Sequence, residues 1–416
     1  MELKRVVVTG IGALTPIGNT VDEYWNGLLN GVSGADLITL FDASKFRTRF
    51  ACEVKNFDPV QFMDRKEARK IDRFSQFALV TSDQAMADAG LTQNNINPDR
   101  VGVVFGSGIG GINTFQSEVA DFARGDGTPR FNPFFIPKMI LDIAAGHISM
   151  RHNLRGPNFA VVSACATSTN AIIEAFNLLR LGKADIILSG GSEAVIIEAG
   201  IGGFNAMKAM SERNEDPKTA SRPYDKDRDG FVMGEAGGIL VLETLESALA
   251  RGARIYCEVA GGGSSADAHH ITAPHPEGLG ARNVMLAALA DAEMRPEDID
   301  YINTHGTSTP LGDGAEIKAI THVFGEHAYK LNISSTKSMT GHCLGAAGVI
   351  EAIACVKSVV HDIVPPTINH FTDDPLLDPQ LNFTFNQPQK RIVRAALSNT
   401  FGFGGHNAAV IVKKYQ

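Results

Sequence analysis

Three side chains of the right types for acyl chemistry stand at three similar junctions. Cys165 lies in NFAVVSACATSTNAIIEAFNLLRLG, where a β-branched run meets a helical pattern with Ile172, Phe176 and Leu179 on one face and Gly182 as its stop. That joint puts the sulfur at the carboxyl end of a buried strand and the amino end of a helix, whose dipole and free amides are expected to lower the thiol pKa and favour thiolate. Small neighbours, Ser163, Ala164 and Ala166, leave it accessible. The next strand-like run, ADIILSGGSEA, completes a βαβ unit, and the crevice at such a strand end is where open α/β sheets bind ligands.

His305 closes the strand-like DYINTH, ahead of a helix that opens with Asp313 and Glu316 in capping-box spacing. Thr307 and Thr309 beside it carry hydroxyls suited to an amide-rich, uncharged ligand arm. His342 sits in NISSTKSMTGHCLGAAGVIEAIACVK, a strand leading to a Gly-rich turn with Lys337, then a small-residue helix with Glu351. The apolar helix implies burial, and a buried lysine needs a partner, for which Glu351 on that helix is the candidate. AALSNTFGFGGHNAAVIVKK reads as two strands joined by a glycine turn, where Phe401 and Phe403 lie on backbone that can approach a ligand and offer an amide to an oxyanion.

The elements that must position these groups alternate along the chain. VVVTG, VGVVFG, FAVVSA and DIILSGG, then IYCEVAGG, DYINTHG, NISS and AALSNTFG, are separated by amphipathic segments, the pattern of an α/β protein with mostly buried strands. A boundary falls near Arg251 to Ile255, dividing the chain into residues 1–253 and 254–416, and each half opens on an apolar strand running into glycine and small residues. VTGIGALTPIG resembles a dinucleotide-binding turn, but its glycines miss the G-x-G-x-x-G spacing and no acidic residue is placed for a ribose.

With 416 residues, 44% hydrophobic and 20% charged, the chain is expected to fold throughout. A net charge of -8 gives no reason to expect nucleic acid, so any basic docking surface must be local. No signal-peptide pattern is apparent and no apolar run reads as membrane-spanning, so a cytoplasmic protein without membrane contact is expected. Five cysteines without a C-x-x-C pair indicate neither a disulfide framework nor a zinc site.

SACATS, NTHGTSTPLGD, STKSMTGHCLGAAG and NTFGFGGHN, in this order and spacing, resemble the β-ketoacyl-acyl carrier protein synthases of the thiolase superfamily, particularly the type II elongation enzymes, over essentially the whole chain. The resemblance implies an α/β fold, thiolase-like and five-layered (αβαβα), with two pseudo-duplicated halves. It implies Cys165 as acylated nucleophile, His305 and His342 as the condensation pair, and Lys337 with Glu351 as a supporting charge network. Phe401 would be gate and, with Cys165, oxyanion donor; Thr307 and Thr309 would bind pantetheine, and Ile109 would border the acyl pocket. Phe135 would reach the neighbouring subunit's pocket in a homodimer, and Arg65, Lys66, Arg69, Lys70 and Lys208 would face an acidic acyl carrier protein loaded with acyl or malonyl groups. No organic cofactor and no catalytic metal is implied, although relatives sometimes hold a monovalent cation near the equivalents of Asn303 and Glu351. His406 departs from the threonine usual in GFGGTN and is expected to support the turn.

A degradative thiolase would need a second catalytic cysteine, for which only Cys343 offers itself, and an initiating Cys-His-Asn synthase would lack these histidine motifs. A non-catalytic chain-length partner would lack the nucleophile. A polyketide condensing subunit stays open, as do acyl chain length and unsaturation.

Overall fold

The apolar runs assemble side by side in a computed structural model that describes residues 3–416. Ten strands form one sheet: β1 (Val6–Leu14), β2 (Val101–Gly106), β3 (Asn158–Phe159), β4 (Ile186–Glu193), β5 (Ala236–Thr244), β6 (Cys257–Ala266), β7 (Tyr301–Asn303), β8 (Asn332–Ser334), β9 (Ala395–Gly402) and β10 (His406–Lys413). Their spatial order is β8-β7-β9-β10-β6-β1-β5-β4-β2-β3. Counted from its own first strand, each half therefore follows the same order, third-second-fourth-fifth-first. The pairing senses also agree: the fifth strand is antiparallel to the first and fourth, and the second is parallel to the third and fourth. The opening strands β1 and β6 meet antiparallel, Val6 opposite Val259, and join the two half-sheets.

Six helices complete the layers: α1 (Arg73–Asp88), α2 (Ile143–His152), α3 (Thr167–Arg180), α4 (Leu279–Asp291), α5 (Pro310–Phe324) and α6 (Ala347–His361). α3 and α6 pack on each other and on strands of both half-sheets, burying Ile172, Phe176, Val349 and Ile353 in the central core. α1 and α2 cover the outer face of the first half-sheet, α4 and α5 that of the second. The result is the five-layered thiolase-like arrangement, in which both half-sheets are covered and their strands read as near-continuous apolar runs.

Two expectations need correction. FAVVSA is not a buried strand: only Asn158–Phe159 pair, at the sheet edge beside β2, and Phe159 and Val162 are 39% and 52% exposed in the single chain. An edge strand has one neighbour, so its apolar residues have no second strand to bury them. An apolar stretch of membrane-spanning length does exist, Leu344–His361, but it is the buried central helix with its preceding turn. VTGIGALTPIG, whose glycine spacing already argued against a nucleotide turn, is mostly strand, and its glycines serve packing, since a Cβ on Gly12 would lie 2.0 Å from the Thr81 carbonyl oxygen of α1.

Candidate active site

Cys165 occupies the single turn Ala164–Ala166 that runs directly into α3, with Ala164 at φ 50° making the sharp bend. Its sulfur lies 3.1 Å from Nε2 of His342. The His305 ring meets the His342 ring edge to face with centroids 5.2 Å apart, and Phe401 packs 5.5 Å from His305. Phe231 stands edge-on to His342 at 5.5 Å. His342 is held through its backbone, its N–H donating to Val232 and its carbonyl accepting from Gly234. Residues 177 and 140 positions from Cys165 thus converge on one sulfur because each lies in the connection that leaves the carboxyl end of a strand, β3 for Cys165, β7 for His305 and β8 for His342.

The cavity they share has a volume of about 710 Å³ and is also lined by Thr307, Thr309, Phe401, Phe403 and Lys208. The Thr307 and Thr309 hydroxyls lie 3.0 Å apart on its wall. Glu316, expected to cap α5, instead accepts the backbone N–H of His305 (2.9 Å) and Gly306 (2.8 Å) and the Asn399 amide (3.2 Å). Asp313 accepts the N–H of Thr309, the residue before α5, at 3.4 Å through one oxygen, and with the other turns inward to the Tyr224 N–H and Arg228. Pro at the first helical position leaves α5 less need of a side-chain cap, and the carboxylates serve the loop that carries His305.

Burial decides the charge states. Desolvation first, then the Lys337 charge, hold both His305 and His342 well below the ordinary imidazole pKa, so each is neutral near pH 7 with one N–H to donate. Burial also pushes the Cys165 thiol up to about 12, against smaller opposing pulls from Lys337 and the backbone amides. The expected low-pKa thiolate is therefore corrected: in the closed cavity, desolvation outweighs the helix end.

The amide directed at the sulfur is that of Phe403, not Phe401. The hairpin register explains the difference: Phe401 pairs with Asn407, and Gly402 passes so close that its Cβ would stand 3.2 Å from the Cys165 nitrogen. The chain thus presents the N–H that follows this glycine. Phe401 itself lines the cavity against His305.

Lys337 and Glu351 form an ion pair with each side chain 1% exposed. Removing one partner of such a pair strands a buried charge at a cost of about 3–5 kcal/mol. Lys337→Met is expected to lose stability on that scale in denaturant unfolding, and Lys337→Met with Glu351→Met to recover most of it. Beside the pair, Asn303 Oδ1, Ser398 Oγ and Glu351 Oε2 are buried without hydrogen-bond partners. Oxygen-only ligands of this kind fit a monovalent cation, which would offset the second Glu351 oxygen. Among the described residues no cluster of three or more His, Cys, Asp or Glu is arranged to hold a metal.

The other expected residues lie farther out. Ile109 is half-buried in the apolar cluster that contains Cys165, Phe231 and Leu344. Phe135 packs on Phe131 and Phe115, centroids 5.5 and 6.3 Å away, outside the lining of this chain's own cavity. Arg65, Lys66, Arg69 and Lys70 are all exposed on and after the short helix Arg65–Ala68, while exposed Lys208 lines the cavity. His406 is exposed at the start of β10, packs on Gly404 and does not line the cavity. Phe403 as the amide donor, Glu316 and Phe231 were missed; an acidic residue flanked directly by the apolar Ala315 and Ile317 in GAEIKAI is the signal that could have found Glu316.

A cysteine and two neutral histidines converging at strand ends of a duplicated thiolase-like fold define a thiol-dependent condensing enzyme. The chain belongs to the beta-ketoacyl synthase family, whose N-terminal domain matches residues 3–248 and whose C-terminal domain matches residues 256–371. It is 51% identical over 416 residues to 3-oxoacyl-[acyl-carrier-protein] synthase 2 of Synechocystis sp., covering 100% of this chain and 99% of that protein. The protein of the same name in Staphylococcus aureus is 50% identical over 414 residues, 99% of each chain. Among solved structures, a type II polyketide ketosynthase in complex with its acyl-carrier protein superimposes with a TM-score of 0.91 at 32% identity, over 99% of this chain and 100% of that one. A beta-ketoacyl synthase from Burkholderia phymatum gives 0.92 at 33% identity, with the same coverage.

Proposed function

We propose that this enzyme elongates fatty acids by decarboxylative Claisen condensation of a Cys165-bound acyl group with malonyl-acyl carrier protein. The observation that carries the reading is the 3.1 Å contact between Cys165 Sγ and His342 Nε2 in a cavity shared with His305. Sγ attacks the acyl thioester carbonyl while His342 takes the thiol proton and returns it to the departing pantetheine thiol. The N–H groups of Cys165 and Phe403 receive the oxyanion. Malonyl thioester then loses carbon dioxide, and the electron pair of the broken C–C bond forms an enolate whose oxygen accepts N–H bonds from His305 and, once its proton has shifted from Nδ1 to Nε2, from His342. The enolate carbon attacks the acyl carbonyl, β-ketoacyl-acyl carrier protein forms, and the Cys165 sulfur leaves as thiolate and takes up one proton from solvent. No organic cofactor enters these steps.

Thr307 and Thr309 would bind the pantetheine arm, and Ile109 would set the acyl-pocket wall. Arg65, Lys66, Arg69, Lys70 and Lys208 suit an acidic carrier protein, a partner supported by the ketosynthase solved with its own. The exposed Phe159 and Val162 at and after the edge strand β3, with the exposed Phe131, Phe134 and Ile136, suit a second copy, in which Phe135 would approach the neighbouring pocket. Five free, buried cysteines suit a reducing compartment, the cytoplasm. Polyketide condensation is the second reading, favoured by the structural similarity to a polyketide ketosynthase.

Turnover of acyl carrier protein thioesters of graded length, with polyketide intermediates included, tests the proposal. Carbon dioxide release and β-ketoacyl product with fatty acyl donors are expected; none with any donor would refute it. Arg65→Glu with Arg69→Glu should raise KM for the carrier protein roughly tenfold, most at low salt.

A further inference from the structure

One buried carboxylate takes no part in these steps. Glu193 ends β4, is 0% exposed, and receives four hydrogen bonds from two separate segments. Oε1 accepts the Ser107 hydroxyl (2.7 Å) and the Ile109 N–H (3.1 Å). Oε2 accepts the N–H of Gly108 (2.7 Å) and of Gly345 (2.9 Å). Ser107 Oγ in turn accepts the Gly110 N–H at 2.9 Å, so the whole Ser107–Gly110 turn is organised around this group.

Two glycines clear its space. A Cβ on Gly345 would lie 2.6 Å from Glu193 Oε2 and 2.3 Å from the Gly108 nitrogen, and one on Gly108 would lie 2.7 Å from Oε2. Gly108 also borders the carbonyl of Ala164, the residue before the nucleophile. Ile109 belongs to the apolar cluster around Cys165, and Gly345 follows Leu344, another member of that cluster, three residues after His342. One carboxylate therefore ties the segment beside the acyl chain to the segment that carries a condensing histidine.

We propose that Glu193 is a positioning residue that sets acyl-chain selectivity by locking the Gly108–Ile109 wall against the Gly345 turn. The inference rests on the elongation function above. All its neighbours donate, so replacing one oxygen by an NH₂ group sets donor against donor and releases part of the wall. A loosened wall discriminates less between chains, because each methylene in an apolar pocket is worth only about 1–3 kcal/mol in selectivity.

The test measures kcat/KM for a series of saturated acyl carrier protein thioesters in the wild type, Glu193→Gln and Ser107→Ala. The ratio between best and longest accepted chains is expected to change roughly fivefold or more in Glu193→Gln, and in the same direction but less in Ser107→Ala. A purely structural role would lower all rates together, and an unchanged ratio in a folded Glu193→Gln protein overturns the proposal. If that variant fails to fold, Ser107→Ala, which removes one donor only, decides by the same ratio; failure of both to fold also overturns it. Wild-type protein that condenses no donor would defeat the elongation function instead, which separates the two failures.

Discussion

Cys165→Ala is expected to take up no acyl group and to lose condensation by at least about a thousandfold, the scale on which removing a covalent nucleophile acts. Intact-protein mass spectrometry with acyl carrier protein thioesters reads the adduct directly, and acylation surviving in this variant would remove Cys165 from its role. The environment of the sulfur adds a sharper expectation. Burial pushes the thiol up to about 12, so near neutrality almost none of it is thiolate, and acylation must move the proton as the bond forms. Nε2 of His342 is in reach at 3.1 Å. Wild-type acylation should therefore vary little between about pH 7 and 9, while His342→Ala, which must rely on solvent base, should still acylate but with a rate that climbs nearly tenfold per pH unit. A flat profile in His342→Ala would show that the sulfur is already ionised without the imidazole.

His305→Ala and His342→Ala are expected to keep a detectable acyl-enzyme yet condense about 10²–10³-fold more slowly, the usual loss when one oxyanion donor is removed. Single-turnover chase of the acyl-enzyme with malonyl-acyl carrier protein separates the two steps, and undiminished product in both variants would defeat the enolate role. The role needs a neutral ring with an N–H, and burial with the Lys337 charge keeps both imidazoles in that form. Since their pKa values are depressed below the ordinary 6.5, acidification through 6.5 should cost the wild type no condensation by this route. Removing the Lys337 charge raises both pKa values, so the acid limb should move up toward 6.5 in the folded Lys337→Met, Glu351→Met double variant. An acid limb at the same pH in both proteins would rule out Lys337 as the group that keeps the rings neutral.

Much of the fold was legible because its strands are buried on both sides and so appear as unbroken apolar runs; Ala395–Gly402 matches its run residue for residue. FAVVSA misled for the same reason, since an apolar edge strand and an apolar central strand have the same composition. Hydrogen-bond partners far apart in sequence were less visible. Asp313 and Glu316 have capping-box spacing, a local pattern, but their partners belong to the His305 loop and the residues around Tyr224. Phe401 and Phe403 flank the same glycine, and only the pairing of β9 with β10 decides which amide faces the sulfur.

What the sequence by itself determined is the set of reactive groups and their placement in connections that follow strands: Cys165, His305 and His342 each sit among small or hydroxylated residues downstream of an apolar run, and that local chemistry is written in nearby positions. The tertiary structure alone decided their working states. Whether a thiol is ionised, an imidazole neutral or a carboxylate such as Glu193 surrounded by donors depends on how much water is excluded and which distant groups approach, and both arise only when two half-sheets close on the central helices.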